Sequence, residues 1–109
     1  MSYSVLHTYG TLDEDLPKER FRALLEVLPT IDAEHGVVSV CHNETAVTVE
    51  ALSSGNTYLL NADDTSFPVR RSGDLDIDER LHRLVLAADG DLESLLQLEW
   101  DEVLPPPAN

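Results

Sequence analysis

The sequence predicts an α+β fold, with a single antiparallel sheet of about five strands and two or three helices packed on one of its faces. Three observations predict it. Segments with an apolar period of two lie at residues 3–9 and recur between 37 and 71, and segments with a period of 3.6 lie between these two stretches and after the second. The connections between successive strands are also too short for the roughly dozen residues that a parallel crossover needs.

Tyr3, Val5, His7 and Tyr9 alternate with Ser4, Leu6 and Thr8 up to Gly10, which reads as a first strand. An acidic loop follows. Leu16, Pro17, Lys18 and Glu19 then open a helix in which Phe21, Leu24, Leu25 and Leu28 recur at i, i+3, i+4 and i+7. Pro17 falls in the first turn, where its missing N–H is harmless, and Pro29 ends the helix. From Val37 the period changes to two. Val37, Val38 and Val40 form one strand, and Thr45, Val47, Thr48 and Val49 form the next, beyond a turn at His42, Asn43 and Glu44. Gly55-Asn56 suits a two-residue hairpin turn into a strand from Thr57 to Leu60. Asp63-Asp64 turns the chain into Phe67 to Arg71, where Pro68 cannot donate to a ladder and so predicts an edge position or an irregular strand. A second helix carries Leu81, Leu84, Val85 and Ala88, with Asp76 and Glu79 spaced as a capping box and Gly90 as its stop. Asp91 caps a shorter third helix with Leu92, Leu95, Leu96 and Leu98, ahead of Trp100.

With 109 residues, the chain suits one domain over 1–104 and a Pro-rich C-terminal tail over 105–109 of polyproline II character. It carries 21 acidic and 7 basic residues, a formal net charge of −14. The acidity is spread along the chain, with nine acidic and three basic residues in 1–54 and twelve and four in 55–109. Phosphate contacts need Lys and Arg, so nucleic acid is excluded as a direct partner, and an anionic membrane surface is disfavoured for the same reason. The hydrophobic fraction of 42% is too high for a disordered acidic segment. A reducing cytoplasm fits a chain with one cysteine, Cys41, and with no basic-then-apolar leader pattern in MSYSVLHTYG.

The chemical motifs are sparse. His7, His35, Cys41, His42 and His82 have no metal-ligand spacing, and Cys41 and His42, adjacent on a strand, should face opposite ways, which leaves Cys41 as a small core residue. The run from Asp74 to Glu79 superficially suggests a calcium loop. It lacks the glycine at the sixth position and the carboxylate at the twelfth, and helix capping accounts for it better. There is no glycine-rich phosphate loop, no GxSxG and no HExxH, so no catalytic residue, metal or cofactor is assigned. Arg70-Arg71 is the sole basic doublet and reads as charge on an edge strand. Trp100 reads as the closing residue of the core or as an interface anchor.

The N-terminal strand from Tyr3 to Tyr9, the helix ending Leu24-Leu25-Glu26-Val27-Leu28, the strand Val37-Val38-Ser39-Val40 and the stretch from Asp91-Leu92 to Glu99-Trp100 together form a layout. With the acidity, that layout resembles small bacterial immunity proteins encoded beside polymorphic toxins. The resemblance implies a cytoplasmic, non-catalytic protein that binds a cognate toxin domain and blocks its active site. Nuclease toxins are basic, and a strongly acidic partner is steered to them rapidly. On this expectation the contact surface comprises Asp63, Asp64, Asp74, Asp76, Asp78 and Glu79, with Arg70, Arg71 and Trp100. Two other readings explain the same composition: an acidic surface adapted to a saline cytoplasm, and a small-molecule or enzymatic cleft between sheet and helices.

Overall fold

The computed structural model describes residues 2–105. The period-two segments form β1 (Tyr3–His7), β3 (Val37–His42), β4 (Val47–Leu52), β5 (Thr57–Asn61) and β6 (Val69–Ser72), while β2 (Thr11–Glu14) and β7 (Glu102–Leu104) add two short edges. The helices are α1 (Phe21–Val27), α2 (Ile77–Ala88) and α3 (Leu92–Gln97). All seven strands join one antiparallel sheet in the order β2-β1-β3-β4-β5-β6-β7. The α+β class is therefore as expected, with seven strands in place of about five.

Both added strands come from stretches that sequence pattern leaves as loop. The acidic segment after Gly10 forms a hairpin with β1, pairing Ser4 with Glu14 and His7 with Thr11. The segment after Trp100 pairs with β6, Arg71 opposite Glu102. That pairing puts β6 in the sheet interior, so of the edge position or irregular strand expected from Pro68, the edge position is not observed, and the strand instead starts only at Val69. Pro68 stands just before the strand, where no ladder bond is required of it. Gly55 takes a φ of 104°, as a turn glycine does, in a loop that runs from Ser53 to Asn56 and is longer than a two-residue turn. The helix expected from Leu16 to Pro29 is a short α-helix bounded by 3-10 turns at Lys18–Arg20 and Leu28–Thr30, and Pro29 lies inside the closing turn. Leu104 belongs to β7, and residues 106–109 of the expected tail lie outside the described residues.

In-register partners of an antiparallel ladder share a face, so the sheet has two distinct sides. One bears Val5, Val38, Val40, Val47, Val49, Ala51 and Leu59, all buried against Phe21, Leu25 and Leu28 of α1 and its closing turn, and against Leu84, Ala87, Ala88 and Leu95 of α2 and α3. Each fully buried Leu or Val there contributes about 1.5 to 3 kcal/mol through the area removed from water. The other side carries a row crossing all seven strands: Leu12, Leu6, Ser39, Glu50, Tyr58, Arg71 and Glu102. Cys41 belongs to this second side and is half-buried there, opposite Ser4 and Thr48, so it is not a core residue. His42 points the other way, as adjacency on a strand requires, and is buried against Gly90.

The caps expected of α2 and α3 form. Asp76 accepts from the Glu79 backbone N–H at 2.8 Å and Asp91 from that of Ser94 at 3.1 Å. Gly90 ends α2 at φ 68°, and a Cβ there would stand 2.9 Å from the His42 ring, so this stop admits no larger residue without displacement.

Candidate partner-binding surface

The acidic residues singled out in the sequence are divided by the sheet. Thr57 pairs with Ser72, so Gly73 to Glu79 leave the sheet at the start of β5, while Asp63 and Asp64 follow the end of β5. About 13 Å of strand separates the two ends. Asp63 and Asp64 are exposed in the β5–β6 loop, where hydrogen bonds from the Ser66 hydroxyl and backbone hold the Asp64 carboxyl below its usual range. Asp74, Asp76, Asp78 and Glu79 gather at the N-terminal end of α2. Asp78 is taken up by an ion pair with Arg22 on α1, and Asp76 by its capping bond.

Around this second cluster the chain forms a cleft of about 440 Å³ between α2, the segment after α3 and the loop after β6. Leu75 and Leu98, Ser72 and Arg83, and the acidic residues Glu79, Glu99 and Asp101 line it. Asp101 is fixed in place because its carboxylate accepts from the Gly73 N–H at 2.9 Å and its own N–H donates to Ser72 Oγ at 3.3 Å. Arg83 is 3% exposed, donates to the Glu99 carbonyl at 3.1 Å and to the Glu79 carboxylate at 3.4 Å, and lies over the Trp100 ring. Three acidic residues against one engaged guanidinium leave the cleft net negative. Its leucines suit an aliphatic stem, so it can take the side chain of a Lys or Arg.

Trp100 is half-buried, with its Nε1–H donated to the Leu95 carbonyl at 2.9 Å and a ring face covered by Arg83. It closes the core beneath α3 rather than projecting as an anchor. The basic doublet is on an interior strand. Arg71 donates to Asn56 at 3.0 Å and to Glu102 at 3.2 Å, and Arg70 lies 5.9 Å from the centroid of the Phe67 ring. Glu99, Asp101 and Arg83 were not among the expected contact residues. The grouping of Asp101 with Gly73 depends on β7 returning beside β6, for which the sequence carries no periodic signal.

One further basic residue bears on the same end of the molecule. Arg80, 8% exposed, donates to the carbonyls of Leu52 and Asn56 at 2.6 and 2.9 Å and to Thr57 Oγ1 at 3.0 Å, locking the β4–β5 loop to α2. Burial pushes its guanidinium below the usual range. Among the described residues no group of three or more His, Cys, Asp or Glu side chains is placed to hold a metal ion, and no helix is long and apolar enough to cross a membrane. Cys41 and His42, on opposite faces, do not meet as nucleophile and base. Comparison with protein-family models, curated proteins and solved structures returned no match.

Proposed function

We propose that the protein is a non-catalytic acidic binding protein that neutralises a basic protein partner, in the manner of the immunity proteins its layout resembles, with a toxin domain as the partner. One observation carries the reading. Of the 21 acidic side chains, Asp78, Glu79, Asp89 and Glu102 are the ones that meet a Lys or Arg among the described residues. Asp13 and Asp32 face the His7 and His35 rings, and most of the remaining negative charge meets no Lys or Arg among the described residues and is available to another molecule. A surface of this kind raises the association rate with a basic partner and matches its potential. The net-negative cleft at the end of α2 adds a place for a basic side chain. Residues Asp74, Glu79, Glu99 and Asp101 make this end the centre of the proposed contact, with Asp63 and Asp64 at the periphery.

The test is a calorimetric titration of the product of the adjacent gene, paired with an assay of that product's activity, at salt of about 50 mM, where surface charge is weakly screened. The reading expects a 1:1 complex and loss of the partner's activity. Absence of a complex at that salt overturns it.

A further inference from the structure

The three helices cover one side of the sheet and leave the other without a packed element among the described residues. That open side carries half-buried Leu6, Tyr58, Leu60 and Leu52 around the small Ser39, Cys41 and Thr48 of its central strands, and Leu12 at its margin is 61% exposed. In its middle, on β4, stands Glu50, with Ser39 and Tyr58 as cross-strand neighbours. Its side chain is half-buried and makes no hydrogen bond or ion pair among the described residues. A partly desolvated carboxylate without a partner gains from a cation that completes it. The nearest basic residue on the same row, Arg71, does not serve, because Asn56 and Glu102 hold its guanidinium.

We infer that the open sheet face is a docking surface for a segment of a basic protein that presents apolar side chains to Leu6, Tyr58 and Leu60 and a Lys or Arg to Glu50. Charge complementarity selects this occupant. A second copy of the chain would bring one net charge of −14 against another. The inference rests on the proposed reading of the protein as a binder of basic partners. It deepens that reading by naming the surface and the carboxylate that anchors the partner. Glu102 and Arg71 stand on this face at the end where Asp101 lines the cleft, so the two surfaces adjoin.

The test uses a short alternating Lys–Leu peptide, labelled with a fluorophore, against the wild-type protein, Glu50→Gln and Glu26→Gln. Glu26 is exposed on α1, on the covered side, and its substitution removes the same charge. Amide shifts on peptide addition are expected to concentrate at Leu6, Ser39, Glu50, Tyr58 and Leu60. Glu50→Gln should weaken binding about tenfold and Glu26→Gln about twofold or less, since an exposed remote charge contributes little. Equal losses in the two variants, shifts confined to the cleft residues Glu79 and Asp101, self-association through this face without peptide, or no binding at low salt would each overturn the inference. None of these outcomes decides whether the protein binds basic partners in general, which the titration with the adjacent gene's product answers separately.

Discussion

The guanidinium of Arg83 lies 4.3 Å from the centroid of the Trp100 ring, joining the middle of α2 to the segment that leads into β7. Trp100 Nε1 donates to the Leu95 carbonyl and Arg83 Nη1 to that of Glu99, while Arg83 Nε is buried with no hydrogen-bond partner among the described residues. The stack therefore forms in a site largely removed from water, where a cation over an indole contributes about 2 kcal/mol. Arg83→Met, which keeps the stem and removes the charge, should destabilise the fold by about 2 kcal/mol, and a cycle with Trp100→Leu should give a coupling of about 1 to 2 kcal/mol. Urea unfolding followed by far-ultraviolet circular dichroism measures both. Strict additivity would show that the ring and the guanidinium are merely adjacent.

Arg80 makes a different prediction, because no carboxylate faces it and its three bonds go to Leu52, Asn56 and Thr57. Arg80→Met leaves those acceptors without their donor and should cost about 3 kcal/mol. Arg80→Lys keeps the charge but not the planar fork, and should recover less than half of that loss. Chemical denaturation of the two variants distinguishes a geometric role from a simple need for positive charge.

The acid limb of stability follows from the caps and turns. Bonds from the Ser94 hydroxyl and backbone lower the Asp91 carboxyl, bonds from Ser66 lower Asp64, and the His35 ring beside Asp32 lowers Asp32. A carboxyl lowered in the folded state contributes stability that is present above its unfolded value, near about 3.9, and lost as the pH falls through the folded value. Thermal unfolding should therefore show the wild type losing stability below about pH 4 more steeply than Asp91→Asn, so that the two converge in acid. Parallel profiles would remove the Asp91 cap from the account.

The arrangement of α2 shows where sequence pattern suffices and where it does not. Its caps at Asp76 and Gly90 are local chemistry and are legible in the sequence. Its buried face is legible in part: Leu84 and Ala88 of the apolar stripe are buried and Leu81 and Val85 pack against the core, but Arg80, Arg83 and Ala87, outside that stripe, are buried as well. Two arginines enter the core side through their aliphatic stems and find polar partners from loops distant in sequence. The strands β2 and β7 are equally hidden. They are short, with sequences TLDE and EVL, and exist because β1 and β6 offer them unpaired edges. The cleft depends on β7 for Asp101, and the exposure of Glu50 on an open face depends on which side the helices choose. Composition alone marks the chain as acidic; the fold decides which carboxylates are spent on caps and pairs and which remain free.

The uncompensated charge also governs how stability responds to salt. With four carboxylates meeting Lys or Arg among the described residues, like-charge repulsion exceeds attraction, so added salt should stabilise the fold. Screening is nearly complete by a few tenths molar, and the midpoint of thermal unfolding should rise over roughly that range and then level. A rise continuing steeply to molar salt would favour a surface adapted to a saline cytoplasm over one shaped for recognition.

The central claim, that the charge serves recognition of a basic protein, is tested most directly by stopped-flow association with the product of the adjacent gene over a salt series. The account predicts an association rate that falls by at least about tenfold between 0.05 and 0.5 M salt while the dissociation rate changes little, the pattern of electrostatic steering. An association rate indifferent to salt, or no association at the lowest salt, would contradict it.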